Sequence, residues 1–340
     1  MGLMSQPMLS SVDQENAWTH RWGVILAGGD GKRLLPLTRR ITGDDRPKQF
    51  CPLFRGETLL DQTRSRVGLM VRPRQTLLVV TETHERFYAL QSAVADSSRL
   101  LIQPWNKGTT PAILYSLLTL RELDPNAVVG FFPSDHHFAS DDAFVDCIDS
   151  AFETVDLLPQ LIVLLGIVPT CPEVDYGWIQ PGPSIAVRSE NSVFRVSRFW
   201  EKPSFDLAVD LMAHGCLWNS FVMVGRVDSF IDLVQRALPY RWQCFQSIRS
   251  TLFSSFEREA LLDLYASIPA GSFSEEVLTF YPSDFAVLSS ASLGWSDMGD
   301  PARVLAILHE AGSALNGTAE LTFRNEKLTT AKLERHRPVN

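Results

Sequence analysis

The chain has 340 residues, of which 45% are hydrophobic and 21% charged, proportions of a globular protein with enough length for a large core. Its formal net charge of -8 argues against a general affinity for nucleic acid or an anionic membrane, either of which needs a basic face. Five scattered cysteines without a Cys-x-x-Cys spacing argue against a disulfide framework or zinc site and suit a reducing, cytoplasmic setting.

Residues 1–21 are polar, lack the apolar core of a signal peptide, and are expected to form a flexible N-terminus. No later run approaches the length of a membrane span. The first element is a buried apolar strand at 24–27 that stops at Gly28, Gly29 and Gly31. A strand ends this way when its chain turns tightly and brings main-chain amides close to an anion. Arg33, and Lys48 just beyond Pro47, add positive charge beside the turn, a combination suited to a triphosphate. Two familiar phosphate motifs fail here. A P-loop needs Gly five residues before the Gly-Lys pair and Ser or Thr after it; Leu26 and Arg33 occupy those places. The dinucleotide fingerprint needs a third glycine where Leu34 stands.

Apolar runs at 76–80, 100–102, 127–132 and 161–167 then alternate with amphipathic stretches at 59–70, 85–95, 111–122 and 142–156. That alternation predicts an α/β fold with a mostly parallel, Rossmann-like sheet covered by helices on both faces. Thr110 before Pro111 reads as a helix start, a capping hydroxyl followed by proline at the first helical position. Asp135 falls where the fourth strand runs out, the end at which open parallel sheets bind ligands. His136 and His137 follow it; on an extended chain they point opposite ways and cannot easily share a metal.

After residue 170 the texture changes to short strands near 178, 193–199 and 217–224, interleaved with turns, and then a run of helices over 227–265. This half is expected to form a smaller subregion facing the first sheet. Asp297 lies in Gly294-Trp295-Ser296-Asp297-Met298-Gly299. A single loop aspartate is ordinarily a turn or cap residue, but two carboxylates that share substrate phosphates are a usual way to hold Mg²⁺. Glu201-Lys202-Pro203, taken alone, reads as a surface ion pair. From about residue 313 apolar density falls and charges mix, which predicts a polar C-terminal tail over 313–340.

The stretch from Leu26 through Thr38, continued by Pro47-Lys48-Gln49-Phe50, resembles the opening signature of the sugar-1-phosphate nucleotidyltransferases, and within them the mannose-1-phosphate guanylyltransferases. The resemblance continues in order through Gly108-Thr109-Thr110-Pro111-Ala112-Ile113, Pro133-Ser134-Asp135-His136, Tyr176-Gly177-Trp178-Ile179, Glu201-Lys202-Pro203, Trp218-Asn219-Ser220 and the block around Asp297, covering residues 22–310. It implies one nucleotidyltransferase domain at 22–312, with a nucleotide-binding half at 22–170 and a sugar-binding half at 171–312. The implied reaction joins GTP to mannose 1-phosphate, giving GDP-mannose and pyrophosphate. Another nucleotide or sugar, or a catalytically silent regulatory homologue, is the alternative.

By this resemblance Leu26, Ala27, Gly28, Gly29, Gly31, Lys32, Gly108 and Thr109 bind the nucleotide. Arg33, Lys48 and Asp135 are catalytic, and Asp135 and Asp297 hold Mg²⁺. Tyr176, Gly177, Glu201, Lys202 and Asn219 bind the sugar phosphate. GTP and mannose 1-phosphate are the expected partners, with neither nucleic acid nor membrane, and a homodimer remains open. The chain also departs from the family. Lys32 and Leu35 stand where many relatives have Thr and Trp. Phe221 replaces a common Gly, and Ser274 and Thr279 take positions that are often acidic.

Overall fold

The computed structural model describes residues 19–53, 56–92, 100–186, 192–290 and 293–310. The expected C-terminal tail at 313–340, residues 1–18 of the expected flexible N-terminus and the end of the predicted helix 85–95 lie outside the described residues. Among the described residues nine strands form one sheet: β1 (Arg21–Leu26), β2 (Thr76–Thr81), β3 (Leu100–Gln103), β4 (Val128–Pro133), β5 (Ile162–Ile167), β6 (Gly177–Ile185), β7 (Val193–Glu201), β8 (Leu217–Arg226) and β9 (Phe285–Ser290). The helices are α1 (Leu35–Thr42), α2 (Leu59–Gly68), α3 (Glu85–Ser92), α4 (Thr109–Leu123), α5 (Asp141–Leu157), α6 (Phe205–Ala213), α7 (Val227–Ala237), α8 (Pro239–Ser247), α9 (Glu257–Ser267) and α10 (Pro301–Glu310).

The strand order is β3-β2-β1-β4-β8-β5-β9-β7-β6. The first four are parallel, as strand–helix alternation predicts, and β5 and β9 are parallel to each other. The expectation of a mostly parallel sheet needs correction, because the sheet is mixed. β8 runs antiparallel between β4 and β5, and β6 and β7 form an antiparallel pair whose second strand joins β9. For β6 and β7 the reason is local. Too few residues separate β6 from β7 for a crossover helix, so the chain reverses, and only antiparallel neighbours can be joined by a short connection.

Alternate residues of each strand feed two cores, one on each face. Val24, Val129 and Phe131 pack with α4, α7, α8 and α9, whereas Ile25, Val128 and Phe132 pack with α2, α5 and α6. Burial of both faces explains why β1 and β4 read as continuous apolar runs rather than alternating ones. A third, smaller cluster gathers Leu34, Leu37, Leu59, Met298, Val304 and Leu308, and ties α1 and α10 to the loop that carries Asp297.

The start of α4 differs from its sequence reading. The helix begins at Thr109 with Gly108 at its N-cap, and no side chain caps it. The Thr110 hydroxyl instead donates to Glu276 at 2.7 Å. Pro111 sits in the first turn, where the N–H that proline lacks has no intrahelical partner in any case.

Candidate active site

A cleft of about 450 Å³ opens where β1 and β4 end. Ala27 extends the strand by donating its N–H to the Val79 carbonyl at 2.8 Å, and the chain then turns away. The buried Gln49 fastens this turn, since its Nε2 donates to the carbonyls of Ala27 (3.0 Å) and Gly29 (2.7 Å). Gly31 has φ of 59°, a left-handed conformation, and a Cβ there would stand 3.1 Å from the Lys48 nitrogen. Glycine is what allows the loop to close onto the 47–50 segment. Gly28, Gly29 and Arg33 line the cleft, as does Leu26. Ala27 is fully buried behind the lining. Gly31 shapes the turn without lining it, and Lys32 is exposed with its ammonium 3.6 Å from Asp30.

The two carboxylates expected at the metal position reach the cleft from loops far apart in sequence. Asp135 follows β4, whose end is held beside β1 by a Ser134 N–H to Leu26 carbonyl bond of 3.1 Å. A short antiparallel bridge then joins the loops: His137 and Ser296 exchange main-chain bonds of 2.9 and 3.0 Å. Lys48 completes the junction. Its residue is 8% exposed, and its ammonium donates to the Asp297 and Met298 carbonyls while lying 3.2 Å from Asp135 Oδ2. All three ammonium protons thus face protein acceptors.

Asp297 Oδ1 accepts from the Gly299 N–H at 2.9 Å and the Tyr176 hydroxyl at 3.0 Å, and Arg303 Nη1 stands 3.4 Å away. Burial opposes ionisation of this carboxyl, but the charges of Lys48 and Arg303 outweigh it and hold the pKa below its ordinary value. Arg303, from α10, also bonds the Tyr176 hydroxyl and lies 4.9 Å over that ring. Arg33 is mostly exposed and contacts Asp175 at 3.2 Å. His136 is a supporting residue. Trp295 Nε1 donates to its Nδ1 at 3.2 Å, which leaves the neutral ring's proton on Nε2, 3.8 Å from Asp135 Oδ1. Burial lowers the pKa of His136, consistent with a neutral ring.

On a second side stand Gly108 and Thr109, with Gln103 and Asn106. Gly108 has φ of 88°, and a Cβ there would fall 2.2 Å from the Gly271 carbonyl oxygen, so no other residue fits this crossing. The segment after Gly271 is zipped onto the start of α4. Thr110 N–H bonds Gly271 O at 3.1 Å, Phe273 N–H bonds Thr109 Oγ1 at 2.9 Å, and Glu276 pairs with Arg241. Gln103 is fixed by the Tyr265 hydroxyl, which donates to its Oε1 at 2.9 Å.

The third side is made where β6, β7 and β8 meet. Gly177 pairs in register with Glu201, and Trp178 with Trp218. Lys202 N–H donates to the Tyr176 carbonyl at 3.1 Å, and its exposed ammonium lies 3.7 Å from Glu201 Oε1. Burial raises the pKa of Glu201 against the opposing charge of Lys202. Asn219 Oδ1 accepts the Phe221 N–H at 3.1 Å. Tyr176, Gly177, Glu201, Lys202 and Asn219 all line the cleft.

Gln49, Gln103, Asn106, Asp175 and Arg303 are among the site residues to which sequence reasoning assigned no role. Gln49 lies inside a recognised motif, which was its only signal. Arg303 sits on an ordinary amphipathic helix, and nothing in its sequence neighbourhood points to Asp297. For a cation, the donor set is two hard carboxylates on one cleft, and no group of three His, Cys, Asp or Glu side chains could hold an ion among the described residues. That set fits Mg²⁺, which keeps several waters and takes the rest of its shell from substrate phosphates. It does not fit zinc, which wants three or four protein ligands.

Residues 22–311 match the nucleotidyl transferase family. A mannose-1-phosphate guanylyltransferase of Salmonella montevideo is 28% identical over 282 residues, which cover 81% of this chain and 57% of that protein. The chain therefore spans a little over half the length of this curated relative. A solved structure described as a mannose-1-phosphate geranyltransferase from Thermus thermophilus superposes with a TM-score of 0.72 at 29% identity, over 87% of this chain and 80% of that one. A mannose-6-phosphate isomerase from Helicobacter pylori shares the fold, with a TM-score of 0.63 at 20% identity over 82% of this chain and 99% of its own. With that family match running over most of its length, the chain belongs to the nucleotidyl transferase family.

Proposed function

We propose that the protein transfers GMP from GTP to mannose 1-phosphate, giving GDP-mannose and pyrophosphate. One observation carries this reading: the glycine turn with Arg33, the Asp135–Asp297 pair, and the Glu201–Lys202–Asn219 group all line a single cleft. An oxygen of the sugar phosphate attacks the α-phosphorus in line. The new P–O bond forms as the α–β bridging bond breaks and pyrophosphate leaves. The nucleophile is already an anion near neutral pH, so the site needs no general base, and acceleration comes from positioning and charge.

Residues 22–170 supply the nucleotide side in this reading. The amides at Gly28 and Gly29 approach the phosphates, and Arg33 exchanges Asp175 for the leaving phosphates. Lys48 acts through its charge and by holding the two carboxylate loops, because its protons face protein acceptors. Gly108 and Thr109 border the nucleoside. Residues 171–312 supply the sugar side, where the exposed Lys202 takes the sugar phosphate and Glu201 accepts hydroxyls. Asp135 and Asp297 would hold Mg²⁺, which supplies neutralisation of phosphate oxygens at the reacting centre. The selection of mannose and of guanine rests on the named relatives and on the resemblance of the motifs.

The test is pyrophosphate release by the purified protein with Mg²⁺ across a panel of nucleoside triphosphates and sugar 1-phosphates. Release with GTP and mannose 1-phosphate at a kcat/KM well above every other pair is the expected result. Preference for another pair would move the specificity and leave the mechanism. No release with any pair, from folded protein, would remove the enzymatic reading.

A further inference from the structure

Four non-glycine residues adopt left-handed backbone among the described residues, and three of them, Lys202, Phe221 and Met298, sit on or beside the cleft. Phe221 is the least expected of these. Its φ is 59°, and a bulky residue in that region is an outlier that persists only when its surroundings over-determine it. The surroundings are a bulge in β8. Leu164 pairs with Met223 and Gly166 with Asn219, so three residues of β8 oppose Leu165 alone. Ser220 Oγ donates to the Leu165 carbonyl at 2.6 Å and accepts the Val222 N–H at 3.2 Å, while the Phe221 N–H is taken by Asn219 Oδ1.

Glycine would hold this bulge without strain. The chain instead places there a half-buried ring that packs against the larger core and lines the cleft with Glu201, Lys202 and Asn219. The same bulge fixes the Asn219 amide. Because Oδ1 accepts from Phe221, the group it offers to the cleft is its NH₂ donor. The sugar side therefore has an apolar wall of fixed position next to one donor and one carboxylate.

We propose that Phe221 is a specificity determinant that confines the sugar subsite to hexose 1-phosphates without bulky substituents. The proposal rests on the sugar 1-phosphate reading of this cleft and adds the substrate class. A single apolar contact is worth roughly tenfold or more in discrimination, so the effect of losing a ring is measurable.

The experiment compares kcat/KM for mannose 1-phosphate and N-acetylglucosamine 1-phosphate in the native chain, Phe221→Gly and Phe221→Leu. Binding of each sugar phosphate is followed in parallel by the fluorescence of Trp218 and Trp295, whose rings pack against Tyr176. Phe221→Gly should lower the preference for the unsubstituted sugar by about tenfold or more, with Phe221→Leu between it and the native chain. The leucine variant preserves the test if the glycine variant does not fold. Native turnover with an unchanged preference in the folded variants overturns the proposal alone. Neither turnover nor sugar-phosphate binding by the native chain overturns the proposal together with the reading beneath it.

Discussion

Replacing Lys48 with methionine separates two roles that its position allows. The ammonium meets two main-chain carbonyls, of Asp297 and Met298, and the Asp135 carboxylate, from a residue that is 8% exposed. Methionine fills most of the same space and removes every donor. Each buried acceptor left without a partner costs about 1–3 kcal/mol. Asp135 is part-exposed and regains water, so its share is small. Two carbonyls, offset in part by no longer burying an ammonium, give a net loss of about 2–4 kcal/mol. At about 2.1 cal/mol/K of unfolding entropy per residue, a chain of 340 residues shifts by roughly 1.4 °C per kcal/mol, so the midpoint should fall by about 3–6 °C. Pyrophosphate release should fall by about 10²- to 10³-fold, the scale of one lost charge contact. The assays are thermal unfolding without ligand and initial-rate pyrophosphate release. A variant that loses activity with its midpoint unchanged would refute the strut, and Lys48 would then act on phosphates directly.

Asp135→Asn keeps an oxygen for Lys48 to donate to, so its midpoint should stay near native while turnover falls by at least about 10²-fold. Near-normal turnover would take Asp135 out of the reacting centre. Arg303→Met removes the guanidinium beside Asp297 and Tyr176, and the Mg²⁺ concentration for half-maximal rate should rise several-fold, with Arg303→Lys in between. A rate loss at unchanged Mg²⁺ dependence would mean that Arg303 only braces the fold. The raised pKa of Glu201 favours the native state fully below the ordinary carboxylate value of 4.5, and that contribution is lost as pH rises through the folded pKa. Glu201→Gln should therefore have a higher midpoint than the native chain at pH 7, the difference vanishing below pH 4.5. Equal midpoints at pH 7 would show that burial does not penalise this carboxylate.

Much of the side proposed to bind the nucleotide was legible because its signals are local. β1 and β4 are buried on both faces and so read as apolar runs, and the glycines after β1 mark a turn whose left-handed backbone at Gly31 favours glycine. The strand-end rule marked Asp135 as a natural ligand position, the motif resemblance made it a site candidate, and the structure puts it on the cleft. What stayed hidden depends on contacts between distant segments. Thr110 looked like a cap but spends its hydroxyl on Glu276, 166 positions away. Arg303 reaches Asp297 only because Val304 and Leu308 pack α10 beside Met298. No period or spacing encodes such a meeting, and motif resemblance rather than pattern led to Asp297.

The mixed sheet explains why the proposed sugar side escaped the strand-end rule. β8 runs antiparallel to β4, with Phe131 opposite Met223 and Val128 opposite Arg226. Its amino-terminal residues, Trp218 to Ser220, therefore lie at the end of the sheet where β4 delivers Asp135. β6 starts at this end with Gly177, and β7 finishes there with Glu201 directly opposite. The rim is thus assembled from carboxyl ends of β1, β4 and β7 and amino ends of β6 and β8. A purely parallel sheet would offer only loops that follow strands, which vary most easily. Here Gly177, Glu201 and Asn219 belong to paired strands whose register fixes them. Register-fixed residues hold ligand groups more rigidly than loop residues do. On this argument the proposed sugar side should discriminate through fixed walls such as Phe221, whereas the proposed phosphate contact of Arg33 would come from an exposed side chain on a loop.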